Sequence, residues 1–492
     1  MSILVRQATL LTLEGPDGLT PFTGDVLVDG GKIVGLDKNL PQAEATTVID
    51  GAGKLVMPGL VDAHFHSGDA FLRGRYERLP LELWMLYCYP IILGPTVSDR
   101  LLYLRSALVA MEALKNGVTT LSDDFIDRPF QSLDRLGAVF QAYDDAGIRA
   151  NVSCSVADLN AFDTMAGARD LIPPELQAAN NRPPVSIPGY LDFVRSAFAA
   201  FHDRSDRLRV MLGPSGPQRC SPALIEACSS LAIEHGVPLH THLLETRMQA
   251  VTSQQMYGKT LVEHMNALGV LTPNVCGAHG IWLSDSDIEL LGRGGCSVVH
   301  NALSNLKLGS GVARVRQLMN AGVNVALGTD GYCASESARM FEVMKAAATL
   351  QNVQSTDYQQ WLGAGEILTA ATINGARSAR LGDEVGTLKP GKRADMICLD
   401  LGSRTFFPPG DVTKQLVYSE NGNSLDWVMV QGEIAVRKGV PTKIDEAAIM
   451  AELADLVPLY LRAYAATEEA NRAYAPYFAE LLRRSATVEL AR

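Results

Sequence analysis

The chain has no uninterrupted run of eighteen apolar residues, so no segment is expected to cross a membrane as a helix. It has no C-x-x-C pair. Its eight cysteines are scattered over 492 residues, which makes a disulfide framework implausible and fits reduced thiols in a cytoplasm. It has no basic stretch either: 43 Lys and Arg face 54 Asp and Glu, a net charge of −11 that argues against a nucleic-acid partner. The first residues, MSILVRQATLLTLEG, include one early arginine and a short apolar run but no small-residue cleavage site, so no targeting segment is read there. A cytoplasmic protein is expected.

A hydrophobic share of 47% with 20% charged residues is ordinary for a globular protein, and the length exceeds what one compact core usually holds. Up to residue 56 the text is short strand-like runs split by Asp-Gly and Gly-Gly turns, as in GDVLVDGGKIVGLD, with a Pro-Gly just beyond at Pro58-Gly59. The grammar then changes. A short apolar run ending in a polar residue, followed by a longer helical stretch, recurs eight times: LVMPGLVDAHFH, GVTTLSDDF, IRANVSCSV, LRVMLGPSG, VPLHTHLLE, VCGAHGIWL, CSVVHNALS and VNVALGTDG. Eight strand–helix alternations predict an α/β protein built on a (β/α)8 TIM barrel over residues 57–386. Turn-rich strands return over 387–440, so residues 1–56 and 387–440 are expected to join in one small β-sandwich. Residues 441–492 read as a helical extension broken near Pro476. Its Tyr460, Leu461 and Tyr464 are more apolar than a free surface helix needs, which predicts packing on the barrel or on a second subunit in a homo-oligomer.

Six of the nine histidines fall in or at the end of the eight runs. His64 and His66 are two residues apart, on one side of a strand; His242 lies in the fifth run and Asp330 ends the eighth. Barrel sites form at the C-terminal ends of strands, so these four converge on one mouth. Three imidazoles and a carboxylate suit zinc, with ferrous iron as the alternative, and leave a position for water. His202, His235 and His264 lie in helical stretches and are read as surface residues.

MPGLVDAHFH, HTHLLET, GAHGIWL, VVHNALSNLKLGSG and ALGTDG resemble the amidohydrolase superfamily, and within it the aminohydrolase branch of guanine deaminase, S-adenosylhomocysteine deaminase and the triazine hydrolases. GTLKPGKRADMICLDL resembles that family's return to its β-sandwich. The resemblance implies one divalent ion per chain, because the fourth run offers no lysine for carbamylation. It implies that Glu245, three residues after His242, relays protons, and that His279 polarises the attacked group. H-x-x-E spacing favours His242 over His240 as the ligand, with His240 behind it. The implied reaction is attack of metal-bound hydroxide on a small purine-, pterin-, pyrimidine- or triazine-like heterocycle, with Asp330 both ligand and proton acceptor and ammonia the leaving group. The same machinery could instead release a substituted amine, a halide, or the amine of an amide or urea. A non-catalytic scaffold remains as a third reading, weighed against the retention of every ligand.

The substrate is expected to be a small molecule held by loops at the strand ends. After the first run, Arg73, Trp84, Tyr87 and Tyr89 either hold a planar ring or pack a lid. After the fourth, Gln218 and Arg219 either read a ring edge or make a turn. Ser335 and Glu336 pose the same choice, and Asn301 and Ser304 follow His300, which shapes the seventh strand's end with metal binding as the lesser option.

Overall fold

In the computed structural model, which describes residues 2–41, 45–127 and 131–490, eight parallel strands form one sheet in chain order. They are Leu60–Phe65, Val118–Asp123, Arg149–Val156, Leu208–Pro214, Leu239–Leu243, Val275–His279, Ser297–His300 and Asn324–Leu327, one from each of the eight runs. Nearly every residue in them is buried, as expected of strands covered by helices outside and packed side chains inside. The eighth strand returns to the first: the Asp330 N–H donates to the His64 carbonyl at 2.9 Å, and Thr329 donates its N–H to Asp62 at 2.9 Å. The curved sheet is thereby a nearly closed barrel.

Both chain ends build a second, nine-stranded sheet. Its seam is the antiparallel pairing of Lys54–Pro58 with Met396–Asp400, Val56 opposite Cys398. It has a core of its own, including Val5, Leu10, Val26, Met396 and Trp427. The run LVMPGLVDAHFH, read as a single strand, is in fact two: Lys54–Pro58 belongs to the chain-end sheet and Leu60–Phe65 to the barrel. Gly59 is the pivot. A Cβ there would lie 2.1 Å from Thr119 Oγ1, so only a residue without one lets the chain pass this close to the second barrel strand. A buried ion pair also links the two units, Arg149 Nε to Asp395 Oδ2 at 2.7 Å, with both side chains 1% exposed.

Two helices, Glu446–Arg472 and Ala475–Ser485, follow. Several of their apolar residues are covered within the chain: Tyr464 packs with Leu81 and Trp84, and Tyr474, Phe478 and Leu481 pack with Leu86, Ile91 and Phe162, while Met450 and Leu459 stay exposed. Two corrections concern side chains read as surface. His264 is buried and stacks on Tyr257 with ring centroids 3.8 Å apart. His202 and His235 are half-buried at helix ends, His235 stacked on Phe198 at 3.8 Å. All eight cysteines are buried and unpaired. Among the described residues, no helix is long and apolar enough to cross a membrane.

Candidate active site

At the C-terminal mouth of the barrel, ring nitrogens of His64, His66 and His242 lie within 4.8 Å of one another, as do donor atoms of His64, His279 and Asp330. Asp330 Oδ1 is 3.4 Å from both His64 Nε2 and His66 Nε2. Strand geometry sets this up. His64 and His66 alternate with buried Phe65, and the fifth strand carries His240 and His242 in the same way. His279 and Asp330 sit at strand ends with φ of 76° and 65°. Left-handed backbone is costly for such residues and recurs at functional sites.

The outward nitrogens fix the tautomers. His66 Nδ1 donates to the Asp124 carbonyl at 2.8 Å and His242 Nδ1 to the Ser215 carbonyl at 2.6 Å. A carbonyl can only accept, so both Nδ1 atoms carry the proton and both Nε2 atoms turn a lone pair inward. Those two Nε2 atoms are 3.1 Å apart. Two lone pairs at that distance repel unless a proton or a metal cation lies between them. His64 Nδ1 is held by His240 Nε2 at 2.7 Å and His279 Nδ1 by Asn305 Oδ1 at 2.9 Å, while His64 Nε2 and His279 Nε2 are buried without a hydrogen-bond partner. This is the outer support that metal-ligating histidines require.

The electrostatics agree. Burial pushes His64 and His240 down to about 3 and His242 well below its ordinary value. These rings are therefore neutral, the ligating form. Burial works against His66 as well, but Asp330, Asp124 and Asp69 outweigh it and raise the ring's proton affinity; positive charge is favoured at this point. Burial would raise Asp330, yet the facing imidazoles, His64 first, hold it well below the usual carboxylate range. Ser304 and the Gly331 N–H both donate to it, at 2.6 and 2.8 Å. The donor set, three imidazoles and one carboxylate at a point that favours positive charge, fits a divalent cation.

Glu245 stands beside this cluster, its Oε2 3.7 Å from His279 Nε2. Burial, with Asp330 nearby, pushes its carboxyl well up, and Oε1 has no partner. Its own N–H donates to Gln249 Oε1 at 2.8 Å. The small cavity over the centre is lined by His66, His242, Glu245, His279 and Asp330 on one side and by Trp84, Met85, Tyr89 and Arg219 on the other.

Several residues expected to meet substrate stand elsewhere. Arg73 is exposed, paired with Glu112 at 2.6 Å and lying over the Tyr332 ring. Tyr87 stacks on Tyr76, so it is Tyr89 that reaches the cavity. Ser335 donates within its own turn, to the Gly331 and Ser337 carbonyls, and Glu336 pairs with Lys307. All three loops turn these side chains toward neighbouring elements rather than toward the mouth. Asn301 is buried behind His279, its Nδ2 3.4 Å from His279 Nδ1. Gln218 lines an adjoining cavity, whereas Arg219 lines both. His300 is fully buried, and neither of its ring nitrogens has a partner. The sequence reading missed Asn305, Glu82 and Gln249, which nothing in their local pattern marks, and Asp124, for which the doubled acid ending LSDDF is a signal in hindsight.

Comparison with known proteins places the chain in a family. The profile of the Amidohydrolase family matches residues 55–435. A 5′-deoxyadenosine deaminase of Methanosarcina mazei is 34% identical over 451 residues, covering 92% of this chain and 96% of that one. A 5-methylthioadenosine/S-adenosylhomocysteine deaminase of Desulforudis audaxviator is 34% identical over 454 residues, covering 92% and 97%. Among solved structures, an adenosine deaminase from Xanthomonas campestris with bound zinc superposes with a TM-score of 0.80 at 26% identity, covering 94% of this chain and 98% of that one. A triazine hydrolase variant reaches 0.83 at 25%, covering 93% and 99%. From its barrel, its histidine and aspartate cluster and this matched span, the chain belongs to the amidohydrolase family.

Proposed function

We propose that the protein is a zinc-dependent aminohydrolase that releases ammonia from the purine ring of an adenine nucleoside altered at its 5′ position. The observation that carries the reading is the inward convergence of His64, His66 and His242, with Asp330 beside His64 and His66 and the Glu245 carboxyl, its Oε1 unpartnered, alongside. The choice of substrate rests on the 34%-identical deaminases. His64, His66, His242 and Asp330 would hold the ion, and when bound it supplies Lewis acidity that makes water nucleophilic near neutral pH.

The rest is done by side chains. Trp84 and Tyr89 would hold the ring at the mouth, and Gln218, Arg219 and Glu82 would meet the polar atoms of its substituent. Glu245 takes a proton from the attacking water and passes it to the ring nitrogen next to the carbon bearing the amine. The new C–O bond forms as that carbon becomes tetrahedral, and His279 steadies the charge that develops. Asp330 accepts the remaining proton of the added hydroxyl, that proton returns through Glu245 to the amine, and the C–N bond breaks to release ammonia. The product is the ring carbonyl compound. Burial of Glu245 suits it to hold and return a proton.

The test is ammonia release from 5′-deoxyadenosine, 5′-methylthioadenosine, other purines, pterins, pyrimidines and triazines by protein of measured metal content. The expected result is one divalent ion per chain and turnover of the adenosines, lost with chelation and restored by zinc. Turnover confined to another ring would overturn the nucleoside assignment. Two tightly bound ions per chain, or full activity without metal, would overturn the site.

A further inference from the structure

Beside the cavity over the metal-ligand cluster lies a second one; Met85, Tyr89, Ser215 and Arg219 line both. Its near end is therefore the mouth of the barrel. Three of its polar side chains are buried with an unpartnered atom each: Gln218 Oε1, Gln249 Nε2 and Glu82 Oε2. Buried polar atoms are rarely left unpaired, so the cavity is built for a ligand. Its apolar lining includes Met165, Met248 and Phe478.

Phe478 comes from the last helix, Ala475–Ser485, outside the span matched by the family profile. It is 4% exposed and packs with Leu86, Ile91, Phe162 and Met248. The position is heavily anchored. Asn471 accepts the Ile91 and Ile92 N–H groups at 2.9 and 3.0 Å and donates to the Ile92 carbonyl at 2.9 Å. Tyr474 donates to the Leu176 carbonyl at 2.8 Å, and Arg247, two residues after Glu245, donates to the Ser485 carbonyl at 2.9 Å.

We infer that the C-terminal helices form the far wall of the substrate cavity, and that Phe478 sets how long an apolar substituent the reacting ring can carry. The identity of the ring rests on the function proposed above; the wall does not. A thioether or short alkyl group is the matching chemistry, because the wall is phenyl and methionine, soft and apolar.

The experiment compares 5′-deoxyadenosine, 5′-methylthioadenosine and 5′-butylthioadenosine with wild type, Phe478→Ala and Phe478→Trp, metal content and thermal midpoint being measured for each. Phe478→Ala should raise kcat/KM for the butylthio compound relative to 5′-deoxyadenosine by about tenfold, the order expected for changed hydrophobic pocket volume. The change should lie in KM; Phe478→Trp should shift the ratio the other way. Equal ratios in all three proteins would overturn the inference. If wild type deaminates no adenosine, the nucleoside reading is what fails. The wall is then read by hydrogen exchange in the full-length chain. Faster exchange of residues 86–92 and 161–165 in Phe478→Ala supports it, and unchanged exchange overturns it.

Discussion

Glu245→Gln separates a proton relay from a metal ligand more cleanly than any other single change. The amide keeps the shape and one carbonyl oxygen, so the Gln249 contact, made through the backbone N–H of residue 245, survives. What is lost is the titrating group. Removing one general acid–base group costs about 10²- to 10⁴-fold. Glu245 serves at two successive steps, so the upper half of that range is expected in kcat. At about 1.4 kcal/mol per decade this is roughly 4–5.5 kcal/mol of barrier. Stability should move the other way or not at all. Glu245 is 2% exposed and its Oε1 has no partner, so the substitution removes a buried ionisable group whose charged form burial and Asp330 disfavour. Metal content should match wild type, since Glu245 is in neither donor cluster, whereas His242→Ala should lose metal and activity together. The assay is steady-state ammonia release with metal analysis and a thermal midpoint on the same preparations. Near-normal turnover with full metal content would refute the relay and point to His279 instead.

Three further outcomes follow from the packing. Asp395→Ala should cost about 3–5 kcal/mol of stability, because it strands a buried guanidinium at the contact between the barrel and the chain-end sheet; a chemical-denaturation midpoint equal to wild type would contradict it. Gly59→Ala should lower the thermal midpoint or the soluble yield, since its Cβ would meet Thr119 at a typical overpacking cost of about 1–3 kcal/mol. The double change with Thr119→Gly should recover it. Arg73→Ala should leave kcat/KM within about twofold and stability within about 1 kcal/mol, the range for exposed ion pairs, because its guanidinium is spent on Glu112 and Tyr332. A large loss of kcat/KM would return Arg73 to the substrate site.

The sequence by itself determined the barrel and where on it chemistry can occur. A run of apolar residues closed by a polar one, repeated eight times, has one common solution, and period-two geometry sends His64 and His66 to one side of their strand. These are local rules, readable within a dozen residues. Local rules also conflicted: LVMPGLVDAHFH is apolar on both sides of its Pro58-Gly59 turn signal, and the close passage of Gly59 by Thr119 decides that it is divided between two sheets. Tertiary structure alone decided which loop residues face the mouth. Tyr87 and Tyr89 are indistinguishable in sequence, yet Tyr464, more than 370 positions away, donates to the Tyr87 carbonyl while Tyr89 turns to His66. The cavity joining Arg219, Glu82 and Phe478 was illegible for the same reason. Its walls come from six separate segments, and a side chain's direction in a loop is set by what packs against it, not by its neighbours in the chain.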